Sequence, residues 1–100
     1  MVMAPDQPDK LIHQPVRTRI MAALAPLDGA PLEFRDLREL SGATDGNLGS
    51  HITALESGGY VRVIKDFKGK RPRTRVVLTP TGKQAFETYR HYLRSLLEES

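Results

Sequence analysis

The hydrophobic spacing of this chain changes period once, at Gly58-Gly59. Before that point apolar residues recur every three to five positions, as on one face of a helix; after it come clusters of β-branched and aromatic residues of strand type. Leu11, Ile12, Val16, Ile20, Met21 and Leu24 mark a helical turn and a first helix over 15–25, with Pro15 at its first position. Pro26, Asp28, Gly29 and Pro31 make a loop. Phe34, Leu37 and Leu40 then line one side of a short amphipathic helix over 32–40. Ser41, Gly42 and Ala43 stop it, and Thr44 and Asp45 are N-cap residues for a third helix carrying Leu48, Ile52 and Leu55. Two short helices joined by a glycine-containing turn form a helix-turn-helix.

Beyond Gly59, Tyr60, Val61, Val63 and Ile64 predict one strand, and Thr74, Val76, Val77 and Thr79 a second. The turn formers of 68–72 lie between them. Pro80 opens a last helix through Glu98, on which Phe86, Tyr89, Leu93 and Leu96 recur at three and four, joined by Tyr92 and Leu97. The expected architecture is mainly α with a small β-hairpin. It forms one domain over 10–100, the usual size for a single core. For 1–9, which is polar and holds Pro5 and Pro8, a flexible segment is expected.

Charge is concentrated where the period changes. From Tyr60 to Arg75 seven basic residues stand against Asp66 alone, a net +6 within a chain of net +3, so the rest of the chain is mildly acidic. Concentrated positive charge suits a polyanion, because it displaces the counterions of a phosphate backbone. The chain has no cysteine, and His13, His51 and His91 are scattered, so neither a metal site nor a cofactor is expected. No apolar run reaches the length of a membrane span, and the opening residues lack an apolar signal core. The expectation is a soluble cytoplasmic protein with no membrane partner.

A helix-turn-helix followed by a strongly basic hairpin is a winged helix. Its third helix, 44–57, fits a major groove, and the hairpin, 60–79, reaches phosphates or the adjacent minor groove. The partner expected on these grounds is double-stranded DNA. Two other readings of the same elements are a winged helix that grips an acidic protein, and an architectural or RNA-binding module without sequence preference.

The residues also resemble a family. LIHQPVRTR at 11–19, GNLGSHITALESGGYV at 46–61, KGKRPRTRVVLTPTGKQAF at 68–86 and Tyr89 are similar to the small stand-alone winged-helix regulators of bacteria and archaea, relatives of the MarR and ArsR regulators. The similarity runs from Leu11 to Tyr92. It rests most on Gly-Asn-Leu-x-x-His, Leu55-Glu56, Gly59-Tyr60-Val61, Arg71-Pro72-x-Thr74 and Leu78-Thr79-x-x-Gly82. It implies a homodimeric DNA-binding transcriptional regulator. The chain departs from the family pattern at Gly49, where serine is common, and at Ile52, where leucine is common.

With Leu48, Ile52 and Leu55 inward, the helical wheel turns Asn47, Ser50 and Thr53 toward DNA and leaves His51 at the border. His51 matches the family histidine and is read as a DNA contact. Thr44 and Asp45 are read as caps. Lys68, Lys70, Arg71 and Arg73 are placed at or near the hairpin tip for phosphate or minor-groove contact, while Arg17, Arg19, Arg35 and Arg38 are read chiefly as surface pairs. Leu11, Ile12, Tyr89, Tyr92, Leu93, Leu96 and Leu97 are the expected dimer interface, with 80–98 as the dimerisation helix. Ser50 and His51 are neighbours on one helix and point about 100° apart, so with Asp45 they make no catalytic triad and no enzyme is expected. A small-molecule effector is compatible with the sequence but not indicated by it. Repression, by lying across a promoter, is the expected mode of action.

Overall fold

Pro15 begins the first helix at the position its fixed φ favours, and the computed structural model describes the chain over residues 6–98. Helix α1, Pro15–Leu24, is capped by the Gln14 side chain, which accepts from Arg17 N at 2.9 Å. A 3-10 turn, Ala25–Leu27, closes it. Strand β1 is only Leu32–Glu33, and helix α2 follows as Phe34–Ser41, ending at Gly42 in the left-handed region at φ 71°. Helix α3 is Asp45–Ser57, with Thr44 Oγ1 accepting from Asn47 N at 3.3 Å as its cap. Strands β2, Val61–Lys68, and β3, Arg71–Leu78, lead to helix α4, Pro80–Glu98.

The predicted second helix starts two residues late because Leu32 and Glu33 pair with Val76 and Arg75. The hairpin is therefore part of a three-stranded antiparallel sheet of order β1-β3-β2. Its loop is the two residues Gly69-Lys70, with Gly69 at φ 65° and Lys70 not positive, as a type II′ turn requires.

Every helix and the sheet contribute to one core. Ile20, Met21 and Leu24 of α1 meet Leu37, Leu48, Ile52 and Leu55, with Val61, Val76 and Leu78 from the sheet and Phe86 and Tyr89 from α4. The stripe on α4 divides along its length. Tyr89 is 4% exposed and joins this core, whereas Leu96 is 49% and Leu97 78% exposed.

The junction between β3 and α4 is tightly knit. Thr79 Oγ1 donates to Gly59 O at 2.6 Å and accepts from Gly82 N at 2.9 Å, while Thr79 N donates to Tyr60 O at 3.1 Å. A side chain at Gly82 would overlap that same Tyr60 carbonyl. The Leu78-Thr79-x-x-Gly82 pattern thus has a packing reason.

The first five residues of the predicted flexible segment lie outside the described residues. Of its remainder, Asp9 is held: its carboxylate accepts from Leu11 N at 2.9 Å and Ile12 N at 3.2 Å, and from the Tyr60 hydroxyl at 2.5 Å. Burial and this carboxylate push the Tyr60 phenol up to about 12. His13 Nδ1 lies 2.8 Å from the Tyr89 hydroxyl, and the two rings meet edge to face.

Two of the residues expected at a dimer interface are corrected by this packing. Ile12 is 0% exposed and Tyr89 belongs to the core, so neither side chain is available to a partner. Helical spacing identified an apolar stripe but did not distinguish its buried end from its open end. Leu11, Tyr92 and Leu93 are half-buried at the core's edge.

Candidate nucleic-acid interface

Helix α3 exposes what its sequence leaves after Leu48, Ile52 and Leu55 are buried. Asn47, Ser50 and Thr53 are all exposed. They do not share one environment, however. Thr53, with Gly49 and Glu56, lines an open groove of about 830 Å³ whose other wall is the hairpin, through Lys65, Lys68, Arg71 and Thr74. Asn47 and Ser50 are not among the residues lining that groove. A side chain at Gly49 would meet nothing within 4 Å, so the floor there is open to whatever enters.

The groove is held in shape at its inner end. Glu56 Oε2 accepts from Val63 N at 2.9 Å, which ties the end of α3 to strand β2 and covers a backbone donor on the outer edge of the sheet. Glu56 was legible only as part of a family pattern, with no role attached. At the other end of α3, Arg38 of α2 reaches Asp45 at 2.9 Å and links the two helices at the surface. Arg35 lies 3.7 Å from Glu33, and Arg19 donates to Ser41 O. Arg35 and Arg38 are thus ion-paired, and Arg19 is held by a backbone carbonyl.

The hairpin's charges fall into two groups. Lys68, Lys70 and Arg71 are exposed at the turn, and Arg62 and Lys65 are exposed along β2. Arg73 forks onto Asp66 through two bonds of 2.8 and 2.9 Å, and Arg75 adds a third at 2.9 Å. Hydrogen bonding from Arg73 holds the Asp66 carboxyl at about 2, well below the usual carboxylate range. Asp66 is therefore ionised throughout neutral and mildly acidic solution.

This corrects the placement of Arg73. It lines the groove, but it sits on β3 with its guanidinium engaged, three positions from the turn.

His51 is the second site residue whose setting differs from expectation. Its Nδ1 accepts from Arg17 Nε at 3.0 Å, and Arg17 also donates to Leu11 O at 3.1 Å. The ring is turned toward α1 and away from the hairpin groove. Burial, with the Arg17 charge adding to it, lowers the His51 pKa from its ordinary value. At neutral pH the ring is uncharged, its proton is on Nε2, and it has one donor to offer outward. The ring protonates less readily folded than unfolded. Its contribution to stability is therefore present above the unfolded pKa and is lost as the pH falls through the folded one. Arg17→Gln is expected to raise the His51 pKa toward about 6.5, read from the ring proton shifts by NMR; an unchanged titration would leave burial as the only cause.

With Nδ1 engaged by Arg17 and Asp45 by Arg38, the Ser50, His51 and Asp45 side chains share no hydrogen-bonded relay. Among the described residues no group of histidines and acids is placed to hold a metal ion, and no helix is long and apolar enough to cross a membrane.

The order of elements, the three-stranded sheet and the groove between α3 and the hairpin agree with a comparison of families. The model of the winged helix DNA-binding domain matches residues 16–97. The chain belongs to this family. As a winged helix it places α3 as the second helix of the helix-turn-helix and β2–β3 as the wing. It is similar to an uncharacterized protein of Methanocaldococcus jannaschii, 36% identical over 80 residues that cover 80% of this chain and 85% of the relative. Among solved structures it is similar to a transcriptional regulator homologue from Pyrococcus horikoshii OT3, with a TM-score of 0.81 and 31% identity over 89% of this chain and 86% of that one. A MarR-family regulator from Silicibacter pomeroyi matches at a TM-score of 0.65 and 26% identity, over 85% of this chain and 56% of that one. The chain is thus a small winged helix DNA-binding domain whose similar solved structures include transcriptional regulators, one of them of the MarR family.

Proposed function

We propose that this winged helix is a homodimeric, sequence-specific repressor that reads double-stranded DNA in the cytoplasm, and that it acts by binding and not as an enzyme. The observation that carries the reading is the groove between α3 and the wing. Its hairpin side bears exposed Lys65, Lys68 and Arg71, with Lys70 exposed at the turn, while the wing's one carboxylate is already paired with Arg73 and Arg75. With α3 in a major groove, Asn47, Ser50 and Thr53 face base edges and phosphates, and His51 offers its Nε2 proton at the border. The wing cations then follow the sugar-phosphate backbone.

The dimer is proposed through Leu11, Tyr92, Leu93, Leu96 and Leu97. The α4 members follow the core residues Phe86 and Tyr89 along one helix, and Leu96 and Leu97 stand exposed. Two copies joined there would present two α3 helices about one DNA turn apart, roughly 34 to 36 Å, and so match an inverted repeat. Leu93→Glu combined with Leu96→Glu is expected to give monomers in light scattering, and a dimer that survives would place the interface elsewhere.

The test of the whole reading is selection from a pool of random duplex DNA by the purified protein. Enrichment of an inverted repeat with half-sites one helical turn apart is expected. Binding without enrichment would turn the proposal to an architectural role, and no binding at low salt would turn it to a protein-interaction module.

A further inference from the structure

The wing carries an apolar feature that electrostatic contact with phosphates does not use. Phe67 is 68% exposed, whereas Phe34 is half-buried and Phe86 is in the core. The strand register pairs Phe67 with Pro72, one step before the pair that closes the turn, Lys68 and Arg71. Directly opposed residues share a face, so Phe67 and Pro72 lie on the same side of the hairpin as Val63 with Val76 and Lys65 with Thr74. At the base of this face Val61, Val76 and Leu78 are buried. The strands outrun that core, and the face ends in an uncovered phenyl and pyrrolidine pair.

Four exposed cations surround the pair in sequence, Lys65, Lys68, Lys70 and Arg71. The nearby acid, Asp66, points to the other face and is neutralised by Arg73 and Arg75. An apolar tip framed by cations matches a duplex minor groove, in which phosphates form the rims and sugar and base surfaces the walls. Apolar side chains that enter there part base steps, most easily at flexible pyrimidine–purine steps. Phe67 is absent from the residues lining the α3 groove. Its cross-strand partner Pro72 and Lys65, on the same hairpin face, do line that groove, so Phe67 stands at the groove's outer margin.

We propose that Phe67, backed by Pro72, is a minor-groove wedge that partly unstacks a pyrimidine–purine step flanking each half-site. The wedge rests on the DNA-binding reading above and adds sequence preference at positions that α3 does not reach. It also separates two roles in the wing. The cations supply attraction independent of sequence, and Phe67 supplies a preference for deformable steps.

The test uses the duplex that the wild-type protein enriches from the random pool, remade with 2-aminopurine at the adenines of its flanking pyrimidine–purine steps. Wild type is expected to raise the emission of one such step on binding. Phe67→Leu keeps an apolar wedge and should retain most of that rise. Phe67→Ala should abolish it and weaken binding roughly tenfold, the scale of one lost base stack, with an unchanged salt slope. Phe67→Lys adds a cation in place of the wedge and should steepen the salt slope without restoring emission. Thermal melts of the variants should match wild type, since the side chain is exposed. Equal emission and affinity for Phe67→Ala and wild type would overturn the wedge and leave DNA binding standing, as would a loss of affinity with no emission change in wild type. A wild-type protein that binds no duplex would overturn the DNA reading and the wedge with it.

Discussion

Gly82→Ala is expected to destabilise the domain by about 3 kcal/mol, at the upper end of the cost of overpacking a filled interior. The added methyl would overlap the Tyr60 carbonyl oxygen and lie 2.8 Å from its carbon. That carbonyl accepts from Thr79 N, so it cannot retreat without giving up a bond. Leu78 Cδ1, at 2.9 Å, closes another side. Alanine is the better helix former by about 1 kcal/mol, and a gain would be expected if the site had room. In a domain of this size each kcal/mol shifts the midpoint by about 4 to 8 °C, so calorimetry should record a fall of roughly 12 to 24 °C. An unchanged or raised midpoint would mean that α4 can slide away from the sheet.

The second large effect concerns affinity. Lys70→Ala with Arg71→Ala removes two exposed cations at the turn. Each phosphate contact contributes about 0.9 to the salt slope, which at 0.1 M salt is roughly eightfold in affinity, so the pair should cost about 60-fold per subunit on every DNA sequence. Titrations at several salt concentrations would show both the loss and a slope flattened by about 1.8 for each subunit. Arg73→Ala should behave differently, because its guanidinium is committed to Asp66. Its removal loosens the hairpin and leaves Asp66 with Arg75 alone. A uniform loss with a flattened slope from Arg73→Ala, matching that of Arg71→Ala, would contradict the pairing.

The contrast between these arginines shows what was legible in the sequence. Thr44, Leu48, Ile52 and Leu55 announce α3 because cap chemistry and helical spacing are local. The hairpin was equally legible from its β-branched runs and glycine turn. Strand β1 was not, since two residues carry no period and Leu32–Glu33 is a strand only through its pairing with β3. Arg73 was assigned by nearness to the turn. Cross-strand counting would have served better: a two-residue loop at Gly69-Lys70 makes Asp66 and Arg73 opposed. For His51 no local signal exists, because its partner Arg17 is 34 residues away on another helix. Ile12 and Tyr89 show a related limit, since an apolar stripe reports that a surface must be covered and leaves open what covers it.

The ties at the start of the chain also set an order of events. The Tyr60 hydroxyl donates to Asp9 across 51 residues, and His13 meets Tyr89 across 76. Contacts of such long sequence separation form only after shorter loops have closed, because closure entropy must be met first. During synthesis Ile12 is made well before the α4 residues Phe86 and Tyr89 that complete its core cluster. The helix-turn-helix can begin to form on the nascent chain, while the completed core waits for α4.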